Sequence, residues 1–344
     1  MTQAILLVGG QGTRMRPLTL TTPKPLLPVA GVPFLAHQFA RLRDAGVTRV
    51  VLATSYRADM FTEVFGDGSA FGLEIVSYTE VEPLGTGGAI RNAAAGLTSA
   101  PDEPVLIFNG DILSGHDLSG QIKTHESTGA AVTLHLVHVA DPRAFGCVPT
   151  TPDGRVTAFL EKLPEPITDQ INGGCYVFTR SVIDQIPAGR TVSVERETFP
   201  GLLAAQVRIQ GFLDDAYWLD LGSPAAYVTG SADLVTGVMW TSAVPAPGPA
   251  PFLALAGALL HPQAHACDGS VLGVGTSVAV GAHVERSVLG DRVSVGAGAR
   301  LLRCAVGADV VIGEGSQLID CAIGDGVQVP AGAHWEQVRA PESA

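Results

Sequence analysis

The first two thirds of the chain alternate short apolar runs with amphipathic segments. The runs AILLV at 4–8, VLIF at 105–108 and AVTLHLVHV at 131–139 predict strands, since apolar stretches of this length fit the buried positions of a sheet. The segments PFLAHQFARLRDAG at 33–46 and DLSGQIKTHE at 117–126 have the apolar spacing of helices. Strands that alternate with helices predict an α/β domain.

A different pattern begins near residue 261 and continues to about residue 333, where charged residues are sparse and short apolar stretches recur. Three sets of residues repeat along this stretch, and the same interval separates successive members in every set. The sets are Ser287, Cys304 and Cys321; Val293, Val310 and Val327; and Leu289, Val306 and Ile323. This fixed period predicts a parallel β-helix of about four coils that stacks valines inside and turns at glycines. A β-sandwich is the alternative, although sandwiches seldom keep a fixed period.

The stretch PAPGPAP at 245–251 is rich in proline and predicts a stiff linker between these two regions. We therefore expect a first domain over 1–240, a linker over 241–258 and a β-helix domain over 259–335. The length of 344 residues fits two domains.

Composition narrows the classes of partner. Apolar residues make up 46% of the chain and charged residues 16%, as in a folded protein. The net charge of −12 argues against a nucleic-acid-binding surface or a polybasic membrane patch. The apolar runs are too short to span a bilayer, and five cysteines without a CxxC pair fit a reducing compartment. We expect a cytoplasmic protein that binds small molecules or protein.

Positive charge is concentrated at the amino end, where the first 43 residues contain five basic residues and no Asp or Glu. Gly9, Gly10 and Gly12 follow the first predicted strand, and Arg14 and Lys24 come soon after. Glycines let several backbone N–H groups point at one spot, so this loop predicts a pocket for the phosphates of a nucleoside triphosphate. The loop matches neither the Walker nor the GxGxxG spacing, and a plain glycine turn is the alternative. Because prolines follow Thr22 and Lys24, we expect extended backbone that presents Lys24 on a stiff segment.

Two carboxylates and a lysine stand at predicted strand ends. Asp111 ends the run VLIFNGD, and Asp220 follows AYWL just before Gly222. Carboxylates from distant parts of the chain can together hold Mg²⁺ against phosphate oxygens, although Asp111 also suits a turn or helix cap. Lys162 ends the strand-like RVTAFLEK beside Glu161, so a ligand contact and a solvated ion pair are both open.

The motifs, taken in order, resemble those of the sugar nucleotidyltransferases, also called nucleotide-sugar pyrophosphorylases. They are GGQGTRMRPLT with PKPLLPV at 9–29, EPLGTGGAI at 82–90, FNGD at 108–111, FGCVP at 145–149, FLEK at 159–162, NGGCYVF at 172–178, VSVERETFP at 192–200 and YWLDLGSP at 217–224. Val8 and Met15 stand where many relatives carry Ala and Leu. Within the family the chain is most similar to bacterial mannose-1-phosphate guanylyltransferases that carry a hexapeptide-repeat tail. The resemblance implies a Rossmann-like mixed sheet followed by a short left-handed parallel β-helix.

The resemblance also implies roles for the residues that match its motifs. The implied catalytic residues are Arg14, Lys24, Asp111, Lys162 and Asp220, with Asp111 and Asp220 as the Mg²⁺ ligands. The implied nucleotide-binding residues are Gly9, Gly10, Gly12, Thr13, Glu82, Gly85, Thr86 and Asn109. The implied sugar-binding residues are Gly146, Glu161, Asn172 and Gly173. None of the nine histidines has a catalytic role in this interpretation.

The implied reaction joins GTP and mannose 1-phosphate to give GDP-mannose and pyrophosphate, by in-line attack on the α-phosphorus. Three alternatives stay open. The chain can use another nucleotide or another sugar or cyclitol phosphate, or it can be a non-catalytic homologue that binds nucleotide sugars. The tail can carry acyltransferase activity, although His283, its single mid-repeat histidine, has no obvious partner in the sequence. A β-helix has exposed ends and flat faces, so we expect a homodimer or homotetramer.

Overall fold

The computed structural model describes residues 2–55 and 57–341 and divides into two compact units. The first unit comprises the chain up to Gly10 together with Phe39–Trp218, and the second comprises Gln11–Gln38 together with the chain from Leu219 onward. The chain therefore leaves the first unit directly after its glycine pair and returns within the first long helix.

The helices are α1 (Phe34–Asp44), α2 (Ala58–Phe65), α3 (Gly85–Ala93), α4 (Leu118–Thr128), α5 (Arg180–Asp184), α6 (Phe199–Ala204) and α7 (Pro224–Thr236). The strands before the tail are β1 (Gln3–Leu7), β2 (Pro28–Val29), β3 (Val32–Pro33), β4 (Arg49–Thr54), β5 (Glu74–Thr79), β6 (Pro104–Asn109), β7 (Ile112–Ser114), β8 (Val132–His138), β9 (Gly146–Cys147), β10 (Leu160–Glu161), β11 (Gln170–Thr179), β12 (Ile209–Leu213) and β13 (Trp218–Asp220).

A mixed sheet forms the core of the first unit, in the order β10-β9-β11-β6-β1-β4-β5, with β8 pairing to β11 and β12. Strand β1 runs parallel to β4 and β6, whereas β11 runs antiparallel to β6. The central strands are apolar, and Ile5, Val51 and Ile107 are completely buried. The predicted Rossmann-like mixed sheet is confirmed.

The pairing of β1 with β6 brings two predicted motifs to one edge of this sheet. Leu7 pairs with Asn109, and the Gly110 N–H donates to the Leu7 carbonyl oxygen at 2.9 Å. Because parallel strands end at the same edge, Gly9 and Gly10 leave the sheet beside Asn109 and Asp111. Ligands in open α/β sheets bind outside the carboxyl ends of the strands, where these residues lie.

Strand β11 is irregular where it crosses the predicted sugar-binding motif. Its register with β8 shifts between Asn172 and Tyr176. At this irregularity Gly173 lies directly on the ring of His135, and a Cβ atom at Gly173 would lie 2.3 Å from His135 Nδ1. Both residues are buried. A side chain larger than glycine therefore has no space at this position.

The second unit ends in a parallel β-helix, and the predicted left-handed β-helix is confirmed. Its strands are β14 (Phe252–Ala254), β15 (Leu259–Leu260), β16 (His265–Cys267), β17 (Ser270–Leu272), β18 (Ser277–Val278), β19 (His283–Glu285), β20 (Val288–Leu289), β21 (Ser294–Val295), β22 (Arg300–Leu302), β23 (Ala305–Val306), β24 (Val311–Ile312), β25 (Gln317–Ile319), β26 (Ala322–Ile323), β27 (Gln328–Val329), β28 (His334–Glu336) and β29 (Arg339–Ala340).

These strands stack into three parallel sheets, two of five strands and one of six. The stack therefore has five coils and one further strand, one coil more than the sequence pattern predicts. The first coil is longer than the others, since the interval from His265 to its partner His283 exceeds the interval from His283 to its partner Arg300 by one position. Strand β14 lies within the segment predicted to be a linker, and the predicted domain boundaries stay predictions.

Cysteines fill positions inside the coils. Cys304 and Cys321 are buried in consecutive coils, and all five cysteines of the chain are free thiols. The Cys304 thiol donates to the carbonyl oxygens of Leu302 and Leu318, both at 3.3 Å. Buried thiols act as small apolar side chains here, as the sequence predicts.

Among the described residues, no helix combines the length and the apolar character needed to cross a bilayer.

The contact between Gly173 and His135 generates a prediction about stability. Gly173→Ala is expected to lower the free energy of unfolding by about 1–3 kcal/mol, because the new methyl group forces the buried imidazole or the strand to move. Thermal melting of the purified variant measures the loss. Gly201→Ala is the control, since Gly201 lies exposed in α6 and a Cβ atom there meets nothing within 4 Å. If Gly173→Ala costs as much in a His135→Ala background as in the wild type, the steric explanation is wrong.

Candidate active site

The glycine-rich loop of the second unit folds back onto Lys24. Gly12 has a φ of +62°, a left-handed conformation that favours glycine, and a Cβ atom there would lie 3.1 Å from Thr19 and 3.2 Å from the Lys24 side chain. The Thr19 hydroxyl donates to the Gly12 carbonyl oxygen at 2.8 Å. Thr13 begins a short 3-10 turn over Thr13–Met15 and is exposed. The loop is thus a defined turn packed against a lysine stem.

Lys24 does not have the extended backbone expected from the proline after it, and that expectation is wrong. It begins a second 3-10 turn, Lys24–Leu26, in which Leu26 N–H donates to Pro23 O at 2.9 Å and Leu27 N–H to Lys24 O at 3.1 Å. The proline after Lys24 occupies a position near the start of this turn, where its fixed φ is tolerated. The turn holds the lysine side chain nearly buried, with 11% of it exposed.

Arg14, Lys24 and Asp220 meet in the second unit, although the aspartate is far from the two cations along the chain. Lys24 Nζ lies 3.9 Å from Asp220 Oδ1, and Arg14 Nη2 lies 3.9 Å from Asp220 Oδ2. Arg14 is 71% exposed, so its guanidinium can turn towards a ligand. Two cations therefore flank the Asp220 carboxylate at the glycine-rich loop.

Asp111 lies in the first unit, in the turn that follows β6. It is half-buried, two residues beyond Asn109, at the sheet edge that Gly9 and Gly10 also reach. The Ser55 hydroxyl donates to the Gly9 carbonyl oxygen, which fixes the start of the glycine pair. Gly10 is exposed, and a Cβ atom there meets nothing within 4 Å. This edge therefore presents one carboxylate beside an open stretch of backbone.

Three neighbouring strands bring together the predicted sugar-binding residues. The sheet order β10-β9-β11 places Glu161 opposite Gly146 and Gly146 next to the Asn172–Gly173 segment. A Cβ atom at Gly146 would lie 2.9 Å from Glu161 Oε2, so the glutamate side chain lies across this glycine. Lys162 Nζ lies 3.5 Å from Glu161 Oε1, and 60% of the lysine side chain is exposed. The ion pair that the sequence leaves open is present, and the ammonium still faces solvent.

One buried and one half-buried aromatic residue support this segment, and the sequence analysis gave them no role. Asn172 Nδ2 donates to the Tyr176 hydroxyl oxygen at 2.9 Å, and Tyr176 also interacts with Asn109. Burial, followed by the charge of Glu195, raises the pKa of Tyr176 well above its usual range, so the hydroxyl keeps its proton. Trp218 Nε1 donates to the Gly173 carbonyl oxygen at 2.9 Å. The tyrosine within NGGCYVF and the tryptophan within YWLDLGSP are the sequence signals that could have pointed to these roles.

The predicted nucleotide loop at 82–86 is fastened to the motif at 192–200. The Thr86 hydroxyl donates to Glu195 Oε2 at 2.7 Å and accepts from the Val194 N–H at 2.9 Å. The N–H groups of Gly87 and Gly88 donate to the Val192 carbonyl oxygen. These bonds use the N–H groups of the third and fourth residues of α3, so those two groups are not offered to a phosphate. Glu82 and Gly85 remain exposed.

Two buried histidines lie beside the predicted sugar-binding segment and contact other protein groups. The rings of His116 and His135 stack with centroids 3.7 Å apart. Burial holds the pKa of His135 at about 4, and burial together with the charges of His135 and Arg41 lowers the pKa of His116 well below its usual range. Both rings are neutral at pH 7, as suits structural residues.

The tail contacts the glycine-rich loop within the second unit. Arg339 Nη1 donates to the carbonyl oxygens of Arg14 at 3.0 Å and Arg16 at 3.2 Å. The Thr21 hydroxyl donates to Asp325 Oδ2 at 2.6 Å. Sequence reasoning missed these contacts because residues from opposite ends of the chain share no local pattern.

One cluster of three metal-ligating side chains occurs among the described residues, and it consists of Cys267, His283 and Glu285 in the β-helix. The expectation that His283 lacks a partner is therefore wrong. The fixed-period alignment did not place Cys267 beside His283, because the first coil is longer than the others. Asp111 and Asp220 belong to different units, and each offers the carboxylate oxygens that Mg²⁺ prefers.

Comparisons with known proteins agree with these motifs. The family model described as "Nucleotidyl transferase" matches residues 3–237, and the one described as "GlmU-like, C-terminal hexapeptide" matches residues 260–335. The chain is 53% identical to a mannose-1-phosphate guanylyltransferase of Mycobacterium tuberculosis, over 82% of this chain and 76% of that protein. It is 38% identical to the catalytic subunit beta of the enzyme of that name from Drosophila pseudoobscura pseudoobscura, over 67% of this chain and 61% of that one.

Solved structures give the same result. The crystal structure of HddC from Yersinia pseudotuberculosis, also solved as a complex with GMP-PN, is 28% identical with a TM-score of 0.58 and matches 68% of this chain and 100% of that one. A putative glucose-1-phosphate thymidylyltransferase from Bacillus anthracis shares the fold, with a TM-score of 0.61 at 20% identity over 67% of this chain and 94% of that one. Sheet, motifs and family model agree, and the chain belongs to the nucleotidyl transferase family.

Proposed function

We propose that the protein transfers the guanylyl group of GTP to mannose 1-phosphate, giving GDP-mannose and pyrophosphate. The observation that carries this proposal is the 53% identity to a mannose-1-phosphate guanylyltransferase over 82% of the chain. The solved complex of HddC with GMP-PN supports a nucleotide as one substrate. The match to the family supports the reaction class, and the relatives' names support the substrate pair.

The charges of the glycine-rich loop support the binding of a triphosphate. Arg14 and Lys24 each lie 3.9 Å from the Asp220 carboxylate, so two cations stand at one place beside the glycine-rich loop. A triphosphate can draw the exposed Arg14 away from that carboxylate, while the nearly buried Lys24 keeps its place. A fixed ammonium suits one phosphoryl oxygen, and a mobile guanidinium suits a bidentate contact.

The first unit supplies groups suited to a sugar phosphate. Glu161 and Asn172 offer a carboxylate and an amide to sugar hydroxyls, and Lys162 offers an exposed ammonium to the 1-phosphate. Gly146 leaves free the space that a side chain would take from the Glu161 carboxylate. Tyr176 accepts a hydrogen bond from Asn172, and Trp218 donates one to the Gly173 carbonyl oxygen, so both residues fix the Asn172–Gly173 segment.

No covalent intermediate is needed. An oxygen of the sugar 1-phosphate forms a bond to the α-phosphorus of GTP, and the bond from that phosphorus to the α,β-bridging oxygen breaks and releases pyrophosphate. The protein contributes positioning and charge neutralisation, with Arg14 and Lys24 stabilising the leaving pyrophosphate. Asp111 and Asp220 are the proposed ligands of Mg²⁺, which when bound neutralises phosphate charge.

The cellular setting and the assembly are also proposals. Five free thiols and nucleotide substrates favour the cytoplasm. We retain the proposal of a homodimer or homotetramer, since the β-helix has flat faces that suit association between copies.

The substrate pair generates the first functional prediction. In a panel of nucleoside triphosphates against mannose, glucose and cyclitol phosphates, GTP with mannose 1-phosphate is expected to give the highest kcat/KM for pyrophosphate release. If another pair is faster, the substrate assignment is wrong and the reaction class stands. If no pair releases pyrophosphate above background, the non-catalytic alternative is correct.

The proposed site residues generate the second functional prediction. Asp111→Asn and Asp220→Asn are each expected to lower kcat by about 100-fold or more, because a lost carboxylate weakens Mg²⁺ binding and the neutralisation of phosphate charge. Lys162→Ala is expected to raise KM for the sugar phosphate by about tenfold with a smaller change in KM for GTP. Glu126→Gln and Lys123→Ala are controls, since both residues are exposed on α4 and neither belongs to the proposed site. Wild-type rates and Mg²⁺ dependence in both aspartate variants would contradict the metal assignment.

A further inference from the structure

Four side chains with metal-binding chemistry form a square on the outer face of the β-helix. Strands β16 and β19 pair in parallel, with His265 beside His283 and Cys267 beside Glu285. Residues two apart on a strand point to the same side, so all four share one face. The intervening Ala266 and Val284 are buried in the coil interior.

The distances within this square are those of ligands around one ion. Cys267 Sγ lies 3.9 Å from His283 Nε2, and His283 Nε2 lies 3.2 Å from Glu285 Oε2. The three ligand atoms all lie within 4.8 Å of one another. With bonds of about 2.3 Å to sulfur and about 2.0 Å to nitrogen or oxygen, tetrahedral zinc separates such atoms by roughly 3.3–3.6 Å. The first two distances therefore differ from those of a zinc site by only a few tenths of an ångström, and the bound of 4.8 Å leaves the Cys267–Glu285 pair at most about 1.3 Å to close.

We propose that Cys267, His283 and Glu285 bind one zinc ion, with water or His265 as the fourth ligand. A thiolate and an imidazole select zinc over magnesium, which prefers oxygen ligands. Binding removes the thiol proton and forms bonds from the metal to sulfur, nitrogen and carboxylate oxygen. The histidine and glutamate side chains are 39% and 44% exposed, so an ion reaches them from solvent. This site is separate from the proposed substrate site and does not depend on the proposed function.

Equivalent positions in other coils of the same sheet can be compared with this cluster. The corresponding pairs in the next two coils are Arg300 with Leu302 and Gln317 with Ile319, which hold no metal ligands. His334 and Glu336 repeat the histidine and glutamate in the last coil, but their neighbours are Gln317 and Ile319. A histidine and glutamate pair thus occurs twice on this face, and only the first pair adjoins a cysteine. The alternative for that first pair is a surface ion pair beside a thiol.

Cobalt titration of the full-length, chelator-treated protein tests the site. Co²⁺ is expected to bind at one equivalent, with a thiolate-to-metal charge-transfer band and the intense visible bands of four-coordinate cobalt, and Zn²⁺ is expected to displace it. Cys267→Ser is expected to abolish the charge-transfer band, and Glu285→Gln to weaken binding by about tenfold or more. His334→Ala is the matched control and is expected to bind as the wild type does.

Three results would overturn the zinc site. They are no saturable cobalt binding, binding without a sulfur band, and a sulfur band that persists in Cys267→Ser. If Cys267→Ser does not fold, His283→Gln and Glu285→Gln decide the same question, since each is expected to weaken binding while the thiol remains. Unchanged affinity in both would contradict the proposal.

A second inference comes from the contact between the tail and the glycine-rich loop, and it rests on the proposed function. A Cβ atom at Gly324 would lie 3.1 Å from Pro17 Cβ, so the final coils pack directly against the loop that Arg339 and Asp325 also contact. One guanidinium nitrogen donates to two acceptors of the loop, the carbonyl oxygens of Arg14 and Arg16. We infer that Arg339 is a positioning residue that fixes the backbone from which Arg14 reaches the nucleotide.

Arg339→Gln tests this role against a matched arginine of the same β-helix. Arg303 makes two bonds to Asp320, at 2.7 and 2.8 Å, and serves as the control in Arg303→Gln. Arg339→Gln is expected to raise KM for GTP by about three- to tenfold, with KM for the sugar phosphate and the melting temperature unchanged. It is also expected to speed amide hydrogen exchange across residues 12–20, whereas Arg303→Gln is not.

The exchange measurement separates the failure of this inference from the failure of the proposed function. If the wild type releases no pyrophosphate with any pair but Arg339→Gln still speeds exchange in the loop, the function is wrong and the contact stands. If exchange and KM are both unchanged, or if both arginine variants have the same effect, the positioning role is wrong.

Discussion

One carboxylate with two cations organises the amino end of this protein. Asp220 lies 3.9 Å from both Lys24 and Arg14, so it neutralises part of the charge that the glycine-rich loop collects. Without that carboxylate, two cations would face each other across a small loop, one of them nearly buried. Because Asp220 also stands at the end of β13, the loop is tied to a strand rather than left to solvent. Attraction between the carboxylate and the two cations lowers the electrostatic cost of placing these cations close together.

Much of the fold could be predicted because its signals are local or periodic. Apolar runs in the sequence predicted strands β1, β6 and β8, and the fixed repeat predicted the coils of the β-helix. The longer first coil fell outside that period, which is why the stack has one more coil than predicted and why the contact between Cys267 and His283 was missed. A fixed period identifies coils of equal length, and it does not identify a coil whose length differs.

The candidate site could be predicted as a set of residues but less well as an arrangement. Motif order brought Arg14, Lys24 and Asp220 to attention, and the structure brings the three together. Proline preference alone misjudged Lys24, because it gave no weight to the hydrogen bonds of the 3-10 turn. Tyr176 and Trp218 form hydrogen bonds with Asn172 and Gly173, and these contacts between separate motifs are not encoded by any spacing rule.

The bonds from Arg339 to the carbonyl oxygens of Arg14 and Arg16 span 325 and 323 residues of chain. A ribosome makes the loop before it makes Arg339, so the loop lacks this partner while the intervening residues are synthesised. At bacterial and eukaryotic elongation rates this interval lasts roughly 15–65 s. The loop of the nascent chain is therefore fastened only after the coil that contains Arg339 has left the ribosome, and a chain that lacks this coil carries an unfastened loop.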